Sequence, residues 1–461
     1  MSGINYAELM STTHTLVLAE LARRQPENMI GPSLERISAL MDLLGEPQKS
    51  APMIHITGTN GKGSTAIIVD ALLRAQGLRT GRYTSPDLGD PRERISIDGQ
   101  PISEELFDQV WQDIEPYVAM VDARLIDGIE MTQFEVLTAM AYACFADSPV
   151  DVMVVEVGMG GAWDATNVAD AAVAVFTPIS LDHTDYLGQT LEEIAAEKAG
   201  IIKPDSHVVL AGQNPAAAKV LLARCAELGV PVIREGVDFA LLNRQLAVGG
   251  QVIRLESAGG PVGDLFLPLY GEAMARNAVL AVAGVEALNG MRGLEPSVIE
   301  DGFNEVVAPA RTERVHVSPP IVIDTCHNPA AVESALDTMD EAFAFAPQIG
   351  VWGMMADKDI DTVLEILQPR VSQLVVTQAS ASRAIPAEAL GKRAAEIFGE
   401  DRVIVCPQVP DAIDAAAALA DEAGPAAGIF LAGSAALAGQ ARTLLVSKAD
   451  DDEDREDPEA F

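Results

Sequence analysis

Apolar residues recur along this chain at two periods, and the places where the period changes outline its elements. From Tyr6 to Arg23 and from Ser33 to Leu44 they return every third or fourth position among charged residues, which predicts two amphipathic helices. Met53–Thr57, Val152–Val157 and Ala171–Phe176 run almost without polar interruption. Such runs predict strands covered on both faces, as in a parallel sheet between layers of helix. Helical spacing returns over Ser64–Gln76, Ser103–Ala119, Thr132–Phe145, Leu191–Ala199 and Ala273–Leu288. From Val230 to Tyr270 short alternating segments around Val248-Gly249-Gly250 predict antiparallel hairpins appended to the main sheet.

The alternation restarts after Pro309-Ala310-Arg311, with strands predicted at Ile321–Asp324, Ile349–Trp352, Gln373–Thr377, Val403–Cys406 and Gly428–Leu431. The expected organisation is therefore α/β in two units, residues 1–309 and a smaller Rossmann-like unit over 310–446. Residues 447–461 are mostly acidic and are expected to form a disordered tail. The uncharged run Ala423–Ala441 is rich in Ala and Gly and contains Pro425, so it reads as strand, turn and helix rather than a membrane span.

Candidate chemistry begins where the first strand ends. Gly58-Thr59-Asn60-Gly61-Lys62-Gly63-Ser64 leads from that strand into a helix. Glycines at 58, 61 and 63 let the backbone approach a polyphosphate, Lys62 adds positive charge, and the helix N-terminus points its partial charge at the same place. The spacing is shorter than the common GxxxxGK[ST], and a glycine-rich turn that binds nothing is the alternative for such a motif in isolation. The strand, the lysine and the helix agree on a phosphate site.

Other polar groups close predicted strands. Ser85, Glu156 and His183 are placed to converge on Mg²⁺ beside Lys62, His183 being the less usual ligand for a hard ion. The long connection Thr84–Arg94 suggests a functional loop. Lys198 reads, from pattern alone, as a solvated helix lysine. Asp324-Thr325-Cys326-His327-Asn328-Pro329, Asp357-Lys358-Asp359 and Ser382-Arg383 each follow a strand of the second unit, where α/β sheets place their sites.

Composition narrows the functional classes. The formal charge of −37 over 461 residues argues against a nucleic-acid binder, which would need a basic face, and against attraction to anionic membranes. Four scattered cysteines without a CxxC pair fit a reduced, cytoplasmic setting and speak against structural zinc. No export signal is visible in the opening residues, and no coiled coil suggests more than a monomer.

The chain resembles the folylpolyglutamate synthases, which often also act as dihydrofolate synthases, within the Mur ligase superfamily. The resemblance rests on Leu34–Ile37, Gly58–Ser64, Thr84-Ser85-Pro86, Glu93-Arg94-Ile95, Glu156–Gly161 and Asp164–Asn167. It continues through Leu181-Asp182-His183, Leu187-Gly188, Glu197–Ile202, Asn277-Ala278, Asp324 with His327-Asn328-Pro329, and Asp357-Lys358-Asp359. It implies a phosphate-loop ATPase unit joined to a smaller ligase unit. It also implies ATP held by Gly58, Thr59, Asn60, Gly61, Lys62, Gly63, Ser64, Asn277, Arg311, Asp324 and His327. Ser85, Glu156 and His183 would bind Mg²⁺, with a second ion on a carbamylated Lys198. Lys62, His183 and Lys198 would serve catalysis. Thr84, Pro86, Arg94 and Asp164 would face the pterin, while Ser382 and Arg383 would meet glutamate. The implied partners are ATP, L-glutamate, and dihydropteroate or reduced folates.

Two positions depart from the family pattern. Ala162 stands where Arg is usual, and Ala273 lies in Gly271-Glu272-Ala273-Met274-Ala275-Arg276-Asn277 where the pattern has polar residues. Arg276 is expected to compensate. Competing readings are a Mur-type ligase acting on a cell-wall nucleotide peptide, and a nucleotide-binding protein without catalysis.

Overall fold

The computed structural model describes the backbone of residues 6–25 and 33–453. Strands β1 (Met53–Thr57), β2 (Thr80–Tyr83), β3 (Ile95–Ile97), β4 (Gln100–Pro101), β5 (Val152–Glu156), β6 (Val173–Phe176), β7 (His207–Leu210) and β8 (Val232–Arg234) form one sheet. Its order is β4-β3-β2-β5-β1-β6-β7-β8, parallel throughout except for β3 and β4 at one edge.

Two-sided burial explains the uninterrupted apolar runs. Ile54, Ile56, Val154 and Val175 enter a core shared with helices Lys62–Ala75 and Glu272–Leu288. Met53, Met153 and Val155 point the other way, into a core with helices Glu104–Asp122 and Gln133–Asp147. Successive residues of a strand alternate faces, so both faces must be apolar when helices cover both. In that second core Arg36 is 1% exposed, and its guanidinium donates to Glu135 at 3.1 Å and Asp127 at 3.0 Å.

The expected hairpins do form, but not on the main sheet. Strands β9 (Ala240–Ala247), β10 (Gly250–Ser257) and β11 (Gly260–Leu267) make a separate sheet in order β11-β10-β9. Ile253, Leu255, Leu265 and Leu267 enter the same core as Ile54 and Val154, where their sheet packs on helices Glu272–Leu288 and Pro296–Asn304, so burying this apolar face prevails over extending the edge at β8.

The second unit contains β12 (Glu313–Val317), β13 (Pro320–Ile323), β14 (Gln348–Trp352), β15 (Gln373–Val376), β16 (Val403–Val405) and β17 (Gly428–Ala432). They run in order β12-β13-β17-β14-β15-β16, with only β12 antiparallel. Edge strand β12 was not anticipated, because its Glu-Arg-Val-His-Val sequence is half exposed and carries no apolar run. The last helix extends from Ala435 to Glu453, into the stretch expected to be a disordered tail; residues 454–461 lie outside the described ones. No helix among the described residues is long and apolar enough to cross a membrane.

Candidate active site

The loops after β1, β5 and β6 emerge side by side at the carboxyl edge of the first sheet, the usual position of a site in such a fold. Gly58 has φ +143°, and a Cβ there would lie 1.9 Å from Thr177 Oγ1. At Gly61, φ is +89° and a Cβ would meet Asn277 Oδ1 at 2.7 Å. Close approach therefore dictates both glycines, and it lays Asn277 against the loop. The helix starts at Lys62, two residues earlier than the apolar pattern suggested, since Gly61 provides the left-handed turn into it.

Lys62 Nζ donates to the carbonyls of Thr59 at 3.1 Å and Gly58 at 3.3 Å, folded over its own loop. Ser64 is 1% exposed and its Oγ has no partner, a buried polar atom beside a lysine and a helix N-terminus. Glu156 is fully buried against this loop: a Cβ on Gly63 would lie 3.3 Å from its Oε2 and 3.6 Å from Arg311 Nη2. Ser85 N–H donates to Glu156 Oε2 at 3.1 Å. Burial raises the Glu156 carboxyl, opposed by Lys62, the Ser85 N–H and Arg311.

His183, at φ +51°, stands at the other side of Lys62. Burial, then the nearby Lys358 ammonium, lowers its imidazole to about 4, so the ring is neutral at ordinary pH. Lys198 Nζ donates to Gly58 O at 2.8 Å, and burial followed by Lys62 lowers its amine to about 7. Pattern alone made Lys198 a solvated lysine; it is 3% exposed, turned inward beneath the loop. Lys62 thus acts electrostatically on Glu156, His183 and Lys198 alike. The Glu156 carboxylate and the orphaned Ser64 hydroxyl are oxygen donors at the phosphate loop of the kind that Mg²⁺ takes beside a polyphosphate.

Asp182 joins the two units. It accepts from Lys358 Nζ at 2.8 Å and Asn328 Nδ2 at 3.0 Å, with His327 Nε2 at 3.7 Å. Burial pushes its carboxyl up, but the nearby His327 ring and the Lys358 charge outweigh it and hold the group far below the usual carboxylate range. Asn60 and Asn328 exchange amide hydrogen bonds across the same gap at 3.2 and 2.9 Å. Lys358 also reaches His183 Nε2 at 3.3 Å.

A cavity of about 560 Å³ opens between the units. Of the residues singled out in the sequence, Gly58, Thr59, Lys62, Ser85, Pro86, Arg94, Asp164, His183, Lys198, His327, Ser382 and Arg383 line it. Asn60, Gly61, Gly63, Ser64, Thr84, Glu156, Asn277, Arg311 and Asp324 do not; Thr84 donates its N–H to the Arg94 carbonyl. Asp164, raised to about 6 by burial, caps the turn Ala165–Val168 and accepts from Thr166 and Met159 N–H. Arg94 pairs with Asp87 at 2.6 Å, and Arg383 with Asp357 at 3.3 Å. Asp324 engages both its oxygens within the linker, accepting from Thr312 and Cys326 N–H at 2.8 and 2.7 Å.

The departures have clear local surroundings. A Cβ on Gly200 would lie 2.4 Å from Ala162 Cα, so this segment is packed tightly at residue 162. Arg276 is turned to Glu235 and Glu272, at 2.5 and 2.8 Å. Sequence reasoning assigned no role to Asp182, Lys358 or Asn328. Lys358 and Asn328 sat in motifs already noted at strand ends, but their convergence on Asp182 joins positions 146 or more apart.

Comparison with known proteins matches residues 104–285 to the Mur ligase middle domain and residues 310–435 to the Mur ligase glutamate ligase domain. A dihydrofolate synthase/folylpolyglutamate synthase from Mycobacterium tuberculosis is 49% identical, covering 95% of this chain and 94% of that protein. A folylpolyglutamate synthase from Lacticaseibacillus casei is 36% identical over 76% of this chain and 82% of its own. The solved Mycobacterium tuberculosis folylpolyglutamate synthase complexed with ADP superposes with a TM-score of 0.91 at 48% identity, over 95% of this chain and 99% of that one. Escherichia coli FolC in complex with DHPP and ADP gives 0.82 at 30%, over 95% and 98%. The chain therefore belongs to the dihydrofolate synthase/folylpolyglutamate synthase family of Mur ligases.

Proposed function

We propose that this protein is an ATP-dependent carboxylate–amine ligase that adds L-glutamate to reduced folates and, as a second activity, to dihydropteroate. The observation that carries the reading is one cavity lined at once by the phosphate loop, by Ser85, Pro86 and Arg94, and by Ser382 and Arg383 of the second unit. Three ligands of different chemistry have to meet in such a reaction, and this cavity has a wall suited to each. The supporting relatives are named for both activities.

The substrate carboxylate attacks the γ-phosphorus of ATP, forming an acyl phosphate as the bond to ADP breaks. The amine of glutamate then attacks the acyl carbon, forming the amide and releasing phosphate and a proton. Lys62 leaves its loop carbonyls to meet the phosphates, and the loop N–H groups and the helix N-terminus hold them in place. Asn277 and Arg311 complete the nucleotide site, with His327 and the linker held by Asp324. Pro86, Arg94 and Asp164 shape the pterin side; Ser382 and Arg383 hold the glutamate carboxylates. The Asp182 junction with Lys358 and Asn328 closes the units over the acyl phosphate and keeps water from it.

Mg²⁺ bound by Ser85, Glu156 and His183 would neutralise charge on the transferring phosphoryl group, with a second ion on a carbamylated Lys198. A buried amine lowered to about 7 has the neutral fraction that reaction with carbon dioxide needs. The reading implies a monomer working in the cytoplasm.

The test is incubation with ATP, Mg²⁺ and glutamate, with dihydropteroate in one tube and tetrahydrofolate in another, following added glutamyl mass beside phosphate release. Product in both tubes is expected. Nucleotide binding without product in either would refute the ligase reading. Lys62→Ala should lower turnover at least a hundredfold while the protein remains folded.

A further inference from the structure

The linker between the two units adopts an unusual conformation. Ala310 and Thr312 have φ of +53° and +49°, a left-handed region that side chains with a Cβ avoid and β-branched residues avoid most. Arg311 lies between them, its guanidinium near Glu156 and Gly63 of the first unit. A conformation of this kind persists only where its surroundings enforce it.

The surroundings belong to the second unit. Ala310 is fully buried in the core that contains Ile321, Ile323, Leu437 and Ala438. Its N–H donates to Glu313 Oε2 at 2.7 Å, and its carbonyl accepts from Thr325 N–H at 3.2 Å. Glu313 is gripped in turn by Arg442, whose Nε lies 3.2 and 3.0 Å from its two oxygens. Arg442 stands on the Ala435–Glu453 helix, one residue beyond Ala441, which enters the same core. On the far side of Arg311, Asp324 holds Thr312 through its N–H and hydroxyl.

We propose that Glu313 and Arg442 are positioning residues for nucleotide binding: they lock the linker so that Arg311, anchored in the second unit, reaches the phosphate loop of the first. Glu313, Arg442 and Arg311 all lie off the cavity lining, and of the three it is Arg311 that stands beside Gly63 and Glu156, so the effect of the other two passes through it. The inference rests on the reading of Arg311 as a nucleotide contact. It makes the C-terminal helix part of the ATP site, because withdrawing Arg442 frees Glu313 and with it the Ala310 end of the linker.

The test is a double-mutant cycle on the full chain, with KM measured separately for ATP, glutamate and the folate substrate and nucleotide affinity measured by fluorescence. Glu313→Ala is expected to raise the ATP KM about tenfold with the other two KM values little changed, as for a lost positioning contact. Glu313→Gln keeps an acceptor for the Ala310 N–H and should restore most of that loss. In an Arg311→Ala background Glu313→Ala should add nothing. A fold-only role would lower the active fraction and leave every KM as it was, and that result would overturn the proposal. Equal effects of Glu313→Ala with and without Arg311 would overturn it as well. An unchanged ATP KM in Arg311→Ala alone would refute the nucleotide role of Arg311, and the function of the clamp with it.

Discussion

Lys198 carries a stability penalty that pH should expose. The amine is buried and lowered from 10.5 to about 7 by burial first and Lys62 second. Between those two values the native protein binds fewer protons than the unfolded chain, so stability rises with pH across that window; below about 7 the penalty is constant and largest. Two-state linkage places the full penalty at about 5 kcal/mol and its recovery between roughly pH 6 and pH 9 at about 3 kcal/mol. Lys198→Met keeps the volume and removes the charge. The variant should be more stable than the parent at pH 6, and the gap should shrink by about 3 kcal/mol by pH 9. The measurement is urea unfolding of both proteins in chelator-treated, carbonate-free buffer, with turnover recorded beside it. A gap that stays flat with pH would mean that the amine titrates alike in the native and the unfolded protein, as it would if water reached it, and the reasoning from burial would fail. If Lys198 carries the proposed carbamate, the same variant should also lose turnover, because methionine cannot form one.

Three further outcomes follow from particular contacts. A Cβ on Gly439 would lie 1.8 Å from the Leu88 carbonyl, so Gly439→Ala should displace the Thr84–Arg94 loop, cost about 1–3 kcal/mol in chemical unfolding and raise the KM for the pterin substrate more than that for ATP. Glu135→Ala leaves Arg36 buried beside a lost partner and should destabilise by about 3–5 kcal/mol, whereas a loss below about 1 kcal/mol would show that Asp127 alone suffices. The His183 ring should titrate by NMR with a midpoint near 4, and Lys358→Met should move it upward without restoring 6.5, since burial is the larger cause.

The apolar runs of β1, β5 and β6 and the glycines after β1 were legible because a two-sided strand and a close backbone approach each leave a local mark in sequence. Edge strand β12 left none, since it is half exposed. The hairpins of residues 240–267 were legible as hairpins but not in their location, because alternation says which face is apolar and nothing about what covers it.

Residue types and strand ends mark Lys62, Ser85, Glu156 and His183 as candidates, since phosphate and cation chemistry favours such groups at the mouth of a parallel sheet. The charge of Lys198 was beyond that kind of reading. Helical spacing places a lysine on a helix, but its burial beneath Gly58 and its lowered amine arise from the packing of the whole first unit. The junction of Asp182 with Lys358 and the linker clamp on Arg311 likewise join residues far apart in sequence or on different elements. Local pattern can name such residues, while their distances, partners and protonation depend on how two separately folded sheets come to face one another.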